Sequence, residues 1–124
     1  MSKKILVIDD EELITKSLLK LLSFEGYIVS VVRSGNDAIE KIKLIDFDLV
    51  ISDVRMPELD GIETIKQIRA CLKKSNKKPI PEILITGYAD KDKYEAAIDL
   101  QISEYIYKPF ERTEFLKAIK RVIG

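Results

Sequence analysis

Residues 49–61 read Leu49-Val50-Ile51-Ser52-Asp53-Val54-Arg55-Met56-Pro57-Glu58-Leu59-Asp60-Gly61. Leu49 to Ile51 form a short, β-branched run of the kind found in strands buried on both faces of a parallel sheet. Asp53 closes that run, and Met56 to Gly61 make a turn that exposes it at the strand end. Asp60, with Glu63 three residues on, has the spacing of a helix cap. Ile62, Ile65 and Leu72 then recur at helical spacing and make one apolar stripe.

The same unit repeats on either side. Ile5 to Ile8, Tyr27 to Val32, Ile83 to Ile85 and Tyr105 to Tyr107 are further short apolar runs. Between them lie the stripes Ile14, Leu18, Leu21 and Leu22, then Ala38, Ile42 and Ile45, and finally Phe115, Ile119 and Val122. Gly26 stops the first helix, and Ser34 with Asp37 caps the second. Asp90 to Leu100 carries only Tyr94, Ile98 and Leu100 as large apolar residues, so a helix there is thinly anchored and cheap to shift. Lys73 to Pro81, with four lysines and two prolines, reads as a solvated loop before the fourth strand. Strand and helix alternate five times, which predicts a doubly wound α/β fold with a parallel sheet covered on both faces. No linker or repeat divides residues 1–124, so a single domain is expected.

Composition narrows the function. Apolar residues make up 46% and charged residues 34% of the 124 positions, the balance of a compact domain. Lys plus Arg and Asp plus Glu number 21 each, so no excess positive potential draws the domain to nucleic acid or anionic lipid. Apolar runs fall far short of the roughly 20 residues that span a bilayer. Cys71 is the only cysteine and nothing at the start reads as an export signal, which makes a reducing cytoplasm the expected location. The chain has no histidine, so imidazole ligands and histidine acid-base chemistry are excluded.

Polar residues gather at strand ends. Asp9 and Asp10 end the first strand, Asp53 the third, Thr86 the fourth and Lys108 the fifth. In a parallel sheet these ends share one edge, where open α/β sheets bind ligands. With strand order 2-1-3-4-5 the first and third strands are neighbours, and Asp9, Asp10 and Asp53 become one acidic cluster. Three crowded carboxylates repel unless a cation sits among them. All-oxygen ligands in a shallow site suit Mg²⁺ better than a softer ion or a Ca²⁺ cage. The alternative for such aspartates is helix capping, as Asp10 could do for the first helix. A carboxylate beside Mg²⁺ can also attack phosphorus to give an aspartyl phosphate. Asp53 is the candidate nucleophile, Lys108 and Thr86 the candidate partners of phosphoryl oxygens, and Asp9 and Asp10 the metal holders.

These residues resemble the receiver domains of two-component response regulators. The resemblance covers the whole chain and rests on Asp9-Asp10, on Asp53 through Gly61, on Thr86-Gly87 and on Lys108-Pro109-Phe110. It implies a flavodoxin-like sheet of five strands with five helices, and phosphorylation of Asp53 by a sensor histidine kinase or a phosphotransfer protein. It implies Mg²⁺ held by Asp10, Asp53 and the Arg55 carbonyl, with Asp9 acting largely through water, and a cis peptide before Pro109. Thr86 and Tyr105 occupy the switch positions: the hydroxyl moves toward the phosphoryl group and the aromatic ring turns inward. The face of the fourth helix, fifth strand and fifth helix is then the output surface toward a downstream effector and a candidate homodimer contact. Arg55 and Tyr88 stand where receivers tune phosphoryl lifetime, and both are large enough to shield the group from water. The chain would be a phosphoacceptor switch and not an enzyme acting on a separate substrate. A single-domain regulator and the front of a longer one look alike at Gly124.

Other classes fit less well. A haloacid dehalogenase-type phosphohydrolase wants a second acid two residues after the nucleophile, where Arg55 stands. A flavin or nucleotide binder wants a glycine-rich loop after the first strand, where Asp9-Asp10-Glu11-Glu12 would repel a phosphate. A phosphorylation-independent interaction module remains open, although every acceptor residue is in place.

Overall fold

A computed structural model describes residues 2–87 and 91–124, with the backbone alone at Lys91. The elements run β1 (Lys4–Ile8), α1 (Glu12–Phe24), β2 (Ile28–Val32), α2 (Gly35–Leu44), β3 (Leu49–Asp53), α3 (Gly61–Lys74), β4 (Glu82–Thr86), α4 (Lys91–Asp99), β5 (Glu104–Tyr107) and α5 (Arg112–Ile123). All pairings are parallel and the strand order is β2-β1-β3-β4-β5. Every residue of β3 and β4 is buried, which is why both lack polar alternation. The edge strands β2 and β5 are only partly covered.

Side-chain alternation divides the core in two. Ile5, Val7, Leu49, Ile51, Ile83 and Ile85 face α1 and α5, where Leu18, Leu22, Phe115 and Ile119 meet them. On the other face Leu6, Ile8 and Val50 pack with Ala38 and Ile42 of α2 and with Ile68 and Leu72 of α3. Leu84 packs with Ile65 and Ala97, which brings α4 onto the same side as α3.

Helix boundaries follow from local chemistry. The Ser34 hydroxyl accepts from Asp37 N at 3.1 Å and the Asp60 carboxylate from Glu63 N at 2.8 Å, so both expected caps form. Gly26 ends α1 with a positive φ of 93°. Three expectations need correction. Ile45 belongs to the stripe but not to the helix: α2 ends at Leu44, and Ile45, with φ −131°, packs its half-buried side chain on the core. Lys73 and Lys74 lie in the last turn of α3, where cations face the carbonyl ends, so the loop starts later. Lys77 is not simply solvated, since it pairs with Asp46 at 3.1 Å.

The weak anchoring of α4 takes a different form from the one expected. Tyr94 and Ile98 are 39% and 53% exposed and anchor little. Among the described residues of the helix only Ala97 is fully buried, with Ala96 and Leu100 packed beside it. In α1, by contrast, Thr15, Leu18 and Leu22 are all buried. Native-state hydrogen exchange should therefore find α4 protected at least about tenfold less than α1. Equal protection would contradict this reading of the packing.

Candidate functional site

The carboxyl edge of the sheet brings the predicted polar residues together. β1 and β3 are adjacent, with Ile8 opposite Ser52, so Asp9 and Asp53 emerge side by side. Asp9, Asp10 and Asp53 each offer a carboxylate oxygen within 4.8 Å of the others. Asp9 is 2% and Asp53 6% exposed, while Asp10 is half-buried. The capping alternative for Asp10 is not realised: Glu11 occupies the N-cap of α1 without a side-chain bond, and it is Asp9 Oδ1 that accepts from Glu11 N, at 3.0 Å.

Lys108 reaches into the cluster from the end of β5. Its Nζ lies 3.3 Å from Asp53 Oδ2, 3.4 Å from Asp9 Oδ2 and 3.4 Å from Glu11 Oε1. Its backbone N–H donates to Thr86 O at 2.7 Å, which ties the ends of β4 and β5. Lys108-Pro109 is a cis peptide, as expected. Thr86 is fully buried one position beyond Ile85, the β4 partner of Asp53.

The segment after Asp53 is folded back tightly. Val54 N donates to Ile85 O at 2.9 Å, Leu59 N to Pro57 O at 2.8 Å and Gly61 N to Val54 O at 2.7 Å. A side-chain carbon on Gly61 would overlap the Asp53 carbonyl oxygen, so only glycine lets the helix start this close to the strand end. Met56 is buried and pins the turn to the core, while Arg55 is exposed. Arg55 N–H donates to the Asp53 carboxylate. Tyr88, the other predicted lifetime residue, lies outside the described residues.

Asp60 serves two helices. Its Oδ1 caps α3 through Glu63 N, and its Oδ2 holds Lys93 Nζ of α4 at 2.7 Å. Burial acts to raise its pKa, but the Glu63 N–H and Lys93 outweigh burial and hold the carboxyl below its usual range. Tyr105 is half-buried on β5, its hydroxyl buried, its ring 5.0 Å from that of Tyr94 and 5.4 Å from that of Tyr107. Ser52 and Lys93 were not singled out from the sequence, and Glu11 only as part of the acidic run Asp9 to Glu12. The Ser52 hydroxyl donates to Asp53 O at 2.8 Å. Glu11 had the signal of following Asp9-Asp10, whereas the Lys93–Asp60 pairing spans 33 positions and left no local trace.

The electrostatics match a cation-binding pocket. Burial, then repulsion from Asp9, pushes the Asp53 carboxyl up to about 6 against the opposing pull of Lys108 and of Arg55 N–H. Asp9 is also raised, by burial first, with the Glu11 N–H and Lys108 opposing. Lys108 goes up despite its burial because Asp53, Asp9 and Glu11 favour its charged form. The cluster is thus short of positive charge, and its all-oxygen donors fit a hard divalent ion. A carboxyl with a raised pKa in the folded state favours the native protein when protonated. That advantage is complete below about 4 and is lost as pH rises to about 6. Without divalent cations Asp53→Asn should therefore be more stable than wild type at pH 7.5, by on the order of 1–3 kcal/mol in urea unfolding, and equal to it near pH 4.

Comparison with known proteins agrees with this geometry. Residues 5–120 match the response regulator receiver domain family. Response regulator MprA of Mycobacterium ulcerans is 33% identical over 123 residues, covering 99% of this chain and 51% of that protein. Transcriptional regulatory protein PdtaR of Mycobacterium tuberculosis is 34% identical, covering 98% of this chain and 57% of that protein. The chain therefore spans about half the length of these relatives. The structure of chemotaxis protein CheY4 of Vibrio cholerae superposes with a TM-score of 0.87 at 30% identity, over 98% of this chain and 99% of that one. A receiver domain from Clostridium thermocellum gives 0.86 at 29% identity, over 98% and 94%. This chain belongs to the response regulator family as a receiver domain, a signalling switch of two-component systems.

Proposed function

We propose that Asp53 is the phosphoacceptor of this switch. The observation that carries the proposal is a nearly buried carboxylate with a raised pKa, 3.3 Å from Lys108 and beside two further aspartates at the ligand-binding edge of the sheet. A carboxylate oxygen of Asp53 attacks phosphorus, the bond from phosphorus to the donor's imidazole nitrogen breaks, and that nitrogen takes up a proton. Residues 1–124 contain no histidine to carry the phosphoryl group first, and the proposed donor is a sensor histidine kinase or phosphotransfer protein, or a small acyl phosphate in its place.

Asp9, Asp10 and Asp53, with the Arg55 carbonyl, are the residues that would hold Mg²⁺. When bound, the ion supplies neutralisation of the charge on the transferring group. Lys108 binds one phosphoryl oxygen and the Thr86 hydroxyl donates to another. Attraction of Lys108 and Thr86 to the new group draws in the ends of β4 and β5. Tyr105, two residues before the end of β5, passes that change to the face of α4, β5 and α5. That face is the proposed contact for a downstream effector and for a homodimer. Arg55 and Tyr88 shield the phosphoryl group from water, so autodephosphorylation is slow and no separate substrate is turned over. Residues 1–124 act as one receiver domain in the cytoplasm, alone or within a longer regulator.

Intact mass after incubation with acetyl phosphate tests the acceptor. One phosphoryl group should be gained only with Mg²⁺ present, and none by Asp53→Asn. A gain by the variant would move the acceptor elsewhere, and no gain by wild type would favour a constitutive binding module. Tyr105→Ala should keep the full mass gain but lose the phosphorylation-dependent change in hydrogen exchange over α4. An unaltered exchange response in that variant would remove Tyr105 from the switch.

A further inference from the structure

The end of the molecule opposite the acidic cluster carries a second concave site. There, about 13 Å down β4 from Thr86 by strand rise, lies a cavity of about 610 Å³ between the last turns of α3, the start of β4 and the turn after α4. Its apolar lining comes from Leu72, Pro79, Ile80, Pro81 and Leu100. Arg69, Lys73 and Lys77 line it as well, spaced four residues apart along the end of α3 and the loop that follows.

Charge here departs from the balance of the whole chain. Residues 69–82 hold five cations, Arg69, Lys73, Lys74, Lys77 and Lys78, against the single carboxylate of Glu82. That carboxylate is 5% exposed and already engaged, accepting from Arg69 Nε at 2.8 Å and Nη2 at 2.7 Å. Lys73, Lys74 and Lys78 have no ion pair among the described residues, and Lys77 has only the highly exposed Asp46. The basic character therefore points outward while the Arg69–Glu82 pair walls the interior.

We infer that this cavity docks an acidic peptide segment that inserts one large apolar side chain. The apolar lining accepts the side chain, and successive carboxylates along an extended chain meet Lys73, Lys77 and their neighbours. Single-stranded nucleic acid fits less well, because residues 69–82 contain no aromatic side chain on which a base could stack. The neighbouring cavity beyond Pro79 and Pro81 suits an acidic occupant less, since Asp46 and Asp48 there offset Lys77 and Lys78. The site needs neither Asp53 nor a metal, so a partner can hold this end while the acidic edge is in use.

The test is fluorescence anisotropy at low salt with a labelled octapeptide library of Asp and Glu around one Leu or Phe, on unphosphorylated full chain. Members with the apolar residue should bind at least about tenfold more tightly than all-acidic ones. Lys73→Glu with Lys77→Glu should weaken binding at least tenfold, and so should Ser103→Phe, which places bulk at the cavity mouth. Lys20→Glu with Lys41→Glu, remote from the cavity, should leave it within twofold, with all folds checked by circular dichroism. The proposal is overturned by no binding, by indifference to the apolar residue, by equal loss in both charge-reversal pairs, or by an oligonucleotide outcompeting every peptide.

Discussion

Crowding of like charge at the carboxyl edge is the constraint around which this domain is arranged. Parallel pairing of β1 with β3 places Asp9 and Asp53 beside each other, and both are almost fully buried. In a closed core such a pair would not survive as two anions. It persists here because Lys108 enters from β5, because the N–H groups of Glu11 and Arg55 point at the two carboxylates, and because the edge is open to incoming charge. The site is incompletely neutralised at rest. A bound cation and the proposed phosphoryl group would both act on that imbalance.

Most of the frame was legible in the residues themselves. Solid apolar runs marked β1, β3 and β4 because strands buried on both faces carry no alternation, and Ser34 and Asp60 marked helix starts through caps that formed as the spacing required. The site was legible because parallel strands put all their carboxyl ends on one edge, so Asp9, Asp53, Thr86 and Lys108 needed no further geometry to be grouped. What escaped were features decided by tertiary contact. Ile45 keeps helical spacing but is packed from an extended backbone, and Lys73 and Lys74 read as loop by charge while continuing α3. Tyr94 and Ile98 counted as anchors by type, yet Ala97 is what the helix buries.

The weak seat of α4 and the tight seat of the loop after Asp53 are complementary. Gly61, Met56 and the hydrogen bonds of Val54 leave that loop little freedom, so a change at Asp53 is not absorbed where it arises. In the proposed switch the lightly held element that would respond, across β4 and β5, is α4 with its aromatic neighbours Tyr94, Tyr105 and Tyr107. The firm loop and the lightly held helix lie on the same face of the sheet, and that contrast is what would give the proposed signal a direction.

Asp60 adds a bias toward the resting position of α4. Because one of its oxygens holds the start of α3 and the other holds Lys93, α4 cannot leave its resting seat without giving up an ion pair. A pair this accessible contributes about 1 kcal/mol or less, which changes a two-state ratio by roughly fivefold. At less than about twice the thermal energy the pair is no barrier; it tilts the population toward the resting seat by that factor. If α4 moves as proposed, the shared carboxylate would keep the moved state sparsely populated before stimulation without making it hard to reach.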